Sequence, residues 1–169
     1  MAKTDSFFIR ASTDFNGTTY AQSSVDLGAY VDALGKSVLR IHNIAVQWGS
    51  PGQRGDFDTV ATSASCDFQL TTQSQSQMVT ATDKSIIATG RVVASGTGGI
   101  AGGATNFISE HLDVAPQHWT NGYLVGVEQI YLGVDASYAT GFTACNIVLE
   151  CTVETLSQSA AMALALSQQ

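Results

Sequence analysis

The sequence predicts an all-β fold, an antiparallel β-sandwich of jelly-roll or Greek-key type followed by a short C-terminal helix. Three observations predict it. Residues 142–154 alternate with a period of two: Cys145, Ile147, Leu149, Cys151 and Val153 on one face, Asn146, Glu150, Thr152 and Glu154 on the other. Seven to nine such extended runs are separated by Gly, Ser and Asn turn signals, and no helical pattern comes before residue 157. The loops at 49–63 and 95–105 space the strands unevenly, which suits a Greek-key path better than a meander. No helix alternates with strand, so a parallel α/β sheet is not expected, and no internal repeat points to a propeller. The expected division is a sandwich over residues 1–156 and an apolar helical tail over 157–169.

Residues 6–11 form a short first strand, and Asn16-Gly17 marks a tight turn. Residues 20–30 read as extended, with Val25, Leu27 and Ala29 on one face; 32–36 is a loop or single helical turn. The run Ser37–Trp48 is a long strand whose apolar parity switches. Leu39 and Ile41 set one phase, and Ile44, Val46 and Trp48 set the other, which predicts a bulge at His42-Asn43. His42 has no acidic or histidine neighbour at metal-ligand spacing and reads as a hydrogen-bonded structural residue. The loop from Gly49 carries Asp56 and Asp58, two carboxylates without the further ordered oxygen ligands of a calcium loop.

Residues 64–71 and 85–94 are strands, joined through the neutral polar stretch 73–77. The stretch 95–104 formally matches a dinucleotide fingerprint through Gly96, Gly98 and Ala101, but no βα unit surrounds it, so it reads as a surface loop. Residues 106–114 fit either a strand or a short helix, ended by Pro116. Glu110, His111 and His118 lie close in sequence, yet a strand would put Glu110 and His111 on opposite faces, apart from the hydrogen-bond reach acid–base chemistry needs. After the Asn121-Gly122 turn, residues 123–132 are apolar on both faces. They are expected to be a central strand forming a hairpin with 142–154. The tail is rich in Ala, Met and Leu, with Ser157 or Ser159 as N-cap, and its all-round apolar character predicts burial on the parent sheet or on a neighbour.

Composition narrows function. Charged residues are 12% of the chain, about half of the ~25% usual in soluble domains. Neutral polar residues replace them, and a surface poor in charge is weakly defended against association. The net charge of −7 with seven scattered Lys and Arg residues argues against direct nucleic-acid binding. No secretory h-region follows Met1 and no run reaches a membrane span, so folding in a cytosol is expected without membrane insertion. Three cysteines fit that compartment. Cys145 and Cys151, about 20 Å apart at ~3.3 Å per residue, cannot bridge, and all three, Cys66 included, are expected to be small core residues. No metal and no cofactor are expected, nor catalysis.

In its long strands, neutral Ser/Thr/Gln/Gly loops and apolar tail, the chain resembles small single jelly-roll virus coat proteins. The resemblance covers the whole chain in outline. It implies a self-assembling virion subunit that folds in the host cytoplasm and partners itself and other virion proteins in a symmetric shell. Many coat proteins of single-stranded RNA viruses carry a basic arm. Residues 1–20 here hold only Lys3 and Arg10, so the genome is not expected to be neutralised by this chain. Tail-tube and decoration proteins of bacteriophages are similar in composition. Assembly contacts are expected at Gly96, Gly98, Gly99, Ile100, Gly102 and Gly103, and at Met162, Leu164 and Leu166. The alternative is a carbohydrate- or ligand-binding sandwich using Trp48, Trp119, Asp56 and Asp58. A cupin-like enzyme would need a His-x-His metal motif that His111 and His118 do not supply.

Overall fold

The computed structural model describes residues 4–16, 18–32, 36–53, 63–96, 105–137 and 142–169. Within them the chain forms β1 (Phe7–Asp14), β2 (Ala21–Asp26), β3 (Ser37–Trp48), β4 (Ser63–Thr71), β5 (Ile86–Gly96), β6 (Thr105–Val114), β7 (Tyr123–Val125), β8 (Gln129–Ala136) and β9 (Ala144–Thr155). A single helix, α1 (Gln158–Ser167), ends it. Residues 106–114 are therefore strand rather than helix.

The strands make two antiparallel sheets, ordered β1-β9-β3-β7 and β2-β8-β4-β5-β6. Consecutive strands such as β1 and β2, or β8 and β9, lie in opposite sheets. That interleaving is the jelly-roll path, with β6 added at one edge by the β5–β6 hairpin. The expected hairpin between 123–132 and 142–154 does not form. Residues 123–132 divide at Gly126 into β7 and the start of β8, which belong to different sheets, and β9 pairs with β1 and β3 instead. Local apolar runs identify strands, but partners are chosen by the wrap of the whole chain, where neighbours in sequence face each other across the core.

The core lies between the sheets. Leu39, Ile41 and Ile44 of β3, Phe68 and Leu70 of β4, Leu132 and Val134 of β8, and Ile147 and Leu149 of β9 are nearly or fully buried there. The parity switch in β3 is a bulge. Ile41 pairs with Cys151 and Asn43 with the next residue, Glu150, leaving His42 as the extra residue. Cys66, Cys145 and Cys151 are free and buried. The Asn121-Gly122 turn needs its glycine twice over. Gly122 has φ +63°, and a Cβ there would stand 2.2 Å from the Ile41 carbonyl oxygen.

Two local expectations are corrected. Residues 20–30 are not extended throughout. β2 stops at Asp26, whose carboxylate accepts the Gly28 N–H (2.8 Å), and the Leu27 carbonyl then accepts from Tyr30 and Val31 in a turn. The helix α1 is not buried all round. Its buried members are Ala161 and Ala165, while Met162 and Leu166 are 43% and 69% exposed. It docks on its own sandwich through small residues, because it sits close against Gly126: a Cβ there would lie 3.0 Å from Leu164 Cγ. Ser157 is its N-cap, accepting the Ala160 N–H at 3.3 Å.

Candidate assembly surfaces

The outer face of the four-stranded sheet is nearly neutral. Register sets three rows across β1, β9 and β3: Phe8–Glu150–Asn43, Arg10–Val148–Ala45 and Ser12–Asn146–Gln47. Arg10 and Glu150 are the only charges among these nine, and Phe8, Arg10, Ser12, Asn43, Ala45 and Gln47 are exposed. The same face closes at its other end. There Arg40 Nε and Nη2 donate to the two Glu154 carboxylate oxygens (2.6 and 2.8 Å), Arg40 Nη1 donates to the Asn121 carbonyl, and His42 Nε2 is hydrogen-bonded to Thr152 Oγ1 (2.9 Å). His42 is thus held structurally.

The outer face of the five-stranded sheet is organised differently. Residues 72–85 fold over it, and the polar residues of this stretch bond inward. Gln69 is fully buried. Its Nε2 donates to Tyr20 Oη (2.9 Å) and to the Gln77 carbonyl (3.0 Å), and its Oε1 accepts the Val79 N–H (2.8 Å). Tyr20 Oη donates to Gln22 Oε1 (3.0 Å), which also accepts the Gln75 N–H (2.9 Å). The Gln/Ser composition that reads as an uncharged loop is therefore used within the fold. Beside it a groove of about 500 Å³ contains Asp67, Asp113 and Asp135 around Arg91, which pairs with Asp113 (3.1 Å) and Asp67 (3.5 Å).

The residues singled out from sequence are dispersed. Gly98, Gly99, Ile100, Gly102, Gly103, Asp56 and Asp58 lie outside the described residues, and Gly96 ends β5. Met162 and Leu166 face solvent on α1 while Leu164 lies against Gly126. Trp48 packs with Phe15, Phe68 and Phe142 at centroid distances of 6.5, 6.2 and 6.4 Å, whereas Trp119 is 53% exposed. The two tryptophans therefore offer no common face. Glu110 stands opposite Val92 and His111 opposite Arg91, on opposite faces of β6; His111 Nε2 is hydrogen-bonded to Ser109 Oγ at 2.6 Å.

Burial raises the Cys145 and Cys151 thiols to about 12, which keeps them protonated and unreactive at neutral pH. Tyr20 and Tyr123 are likewise raised by burial. Among the described residues no three His, Cys, Asp or Glu side chains are grouped to hold a metal ion, and no helix is long and apolar enough to cross a membrane. Sequence reasoning missed Gln69 and Gln168. Both look like solvent-exposed polar residues, and only their buried positions, which depend on tertiary contacts, reveal their roles.

No protein-family model and no curated protein matches the sequence. Solved structures similar to it include viral capsid proteins. The human polyomavirus 7 VP1 pentamer matches with TM-score 0.46 and 8% identity over 90% of this chain and 96% of that one. An unassembled Washington University polyomavirus VP1 pentamer matches with TM-score 0.45 and 6% identity over 89% and 93%. Desmodium yellow mottle tymovirus matches with TM-score 0.31 and 10% identity over 89% and 86%. The jelly-roll assignment rests on the strand order of the chain itself.

Proposed function

We propose that the chain is a structural, non-catalytic coat subunit that self-assembles into a symmetric shell and resides in the virion. The observation that carries this reading is the outer face of the four-stranded sheet, an uncovered platform of Ser12, Asn43, Ala45, Gln47, Asn146 and Val148 with two charges in nine positions. A neutral platform of this kind loses little desolvation energy when another polypeptide covers it. Other virion proteins are its further partners. The net charge of −7 disfavours direct contact with the genome. Residues 157–169 serve as a tail separable from the sandwich of 1–156, and with residues 96–103 they supply contacts between copies. Size-exclusion chromatography with light scattering, followed by negative-stain microscopy, tests the reading. Concentration-dependent oligomers of regular shape are expected; a stable monomer at millimolar concentration would refute it.

A second reading, a carbohydrate-binding module, is favoured only by the exposed Trp119. A glycan array with no hits disposes of it.

A further inference from the structure

Among the described residues six large hydrophobics are exposed; four of them belong to the sandwich and are divided between its two lateral sides. Phe8 (56% exposed) and Tyr30 (36%) lie on the side bounded by β1 and β2; Ile108 (58%) and Trp119 (53%) lie on the side bounded by β6 and β7. The remaining two, Met162 and Leu166, are on α1.

Each side has a distinct shape. Between β1 and β2 runs a groove of about 430 Å³ that includes Phe8, Arg10, Ser24, Asp26 and Tyr30, and Tyr30 is fixed by stacking on Phe7 at 4.8 Å. On the opposite side the five-stranded sheet is one strand wider than its partner, so β6 overhangs. Ile108 pairs with Ala94, which is 1% exposed, and Glu110 pairs with Val92, which is 5% exposed. Both therefore point toward the interior side of the sheet, yet both are exposed, since among the described residues no strand of the narrower sheet stands opposite β6. β6 is also a ten-residue edge strand, with the inward-pointing Glu110 as a guard against sheet extension. One side is thus a groove and the other a projecting rib. The groove carries Arg10 and Asp26, and the rib carries Glu110; Arg10 has no ion-pair partner among the described residues.

Resting on the self-assembly reading, we propose that the β6 rib of one copy, with Ile108 and Glu110, seats in the β1–β2 groove of the next, against Phe8, Tyr30 and Arg10. The contact is head-to-tail. A rib-on-rib contact would bring Glu110 toward Glu110, whereas the head-to-tail arrangement sets Glu110 beside Arg10 and covers Phe8, Tyr30 and Ile108. Repeated, such a contact closes into a ring or, if the rotation does not close, grows a filament.

The test uses two full-length variants, Ser24→Cys and Glu110→Cys, Ser24 lining the groove and Glu110 standing on the contacting face of β6. The native thiols are buried and do not compete. Under mild oxidation the mixture is expected to give a disulfide-linked dimer that neither variant gives alone. Phe8→Asp and Ile108→Asp are each expected to raise the concentration for assembly at least tenfold with unchanged monomer melting. Arg10→Glu and Glu110→Arg should each do the same, and the double variant should restore assembly. Equal cross-linking of each variant alone, or assembly undisturbed by Phe8→Asp and Ile108→Asp, would overturn this contact while leaving self-assembly intact. Absence of any association would remove the self-assembly reading itself.

Discussion

Arg40 and Glu154 form a two-point ion pair on adjacent strands, with side chains 14% and 1% exposed. The guanidinium also holds the Asn121 carbonyl, so one side chain ties β3, β9 and the turn into β7. Its pKa is raised further by the hydrogen bond to Glu154, so Arg40 stays charged at every accessible pH. Removing one partner takes away both charge-assisted hydrogen bonds that offset the desolvation of the other. Glu154→Gln or Arg40→Met should each cost about 3–5 kcal/mol in urea unfolding. Arg40→Lys should be poorly tolerated, because an ammonium cannot match the two-oxygen geometry. The double variant Arg40→Met/Glu154→Leu should be less destabilised than the sum of the singles. Strict additivity would mean the pair is not coupled.

Gly133 is required by the phenol that lies over it. A Cβ there would sit 2.2 Å from Tyr20 Oη and 2.8 Å from Cζ. Gly133→Ala must displace the ring that both accepts from Gln69 and donates to Gln22. Overpacking of about 1–3 kcal/mol is expected, together with faster hydrogen exchange at Val79, whose N–H bonds to Gln69. Tyr20→Phe should be milder than Gly133→Ala, since it removes the hydroxyl without a clash. The reverse order would contradict this account.

These two sites show what could and could not be read from sequence. The strands were legible because alternation records burial directly, as in Cys145 to Cys151, and the parity switch in β3 located the bulge at His42. Pairing was not legible: residues 123–132 look like one strand because nothing local says that Gly126 hands the chain to the other sheet. The candidate surfaces were partly visible as low charge. Their location was not, since the exposure of Ile108 depends on one sheet being wider than the other. The inward-bonded glutamines were invisible, because Gln69 and Gln168 differ from surface glutamines only in their surroundings.

Gln168 anchors the C-terminal segment. Its Oε1 accepts the Gly126 N–H (2.8 Å), its Nε2 donates to the Leu124 carbonyl (2.7 Å), and its own carbonyl accepts from Thr72 Oγ1 (2.9 Å). Gln168→Ala would leave the buried Gly126 N–H unsatisfied, at about 1–3 kcal/mol, and would also free the part-buried Leu124 carbonyl. The expected result is release of α1, read as increased proteolysis after residue 156 with the sandwich still folded. Loss of all cooperative unfolding would instead mean that the tail is integral to the core. If the tail also joins copies, truncation at 156 should impair assembly more than folding.

The buried thiols set the alkaline limit of stability. Cys145 and Cys151 move from 9.0 in the unfolded chain to about 12 in the fold, chiefly because burial penalises the thiolate. The folded state therefore holds these protons more tightly than the unfolded state. Their contribution is fully present below pH 9 and is lost as pH rises from 9 toward 12. Tyr20 and Tyr123 are raised from 10.0 by burial and act with the same sign. Urea midpoints should thus be level from pH 7 to 9 and fall above it. In Cys145→Ala/Cys151→Ala the fall should shrink, and what remains belongs to the tyrosines. Alkylation by iodoacetamide at pH 8 should proceed only at the rate of unfolding. Rapid labelling of native protein would show that the thiols are neither buried nor held neutral.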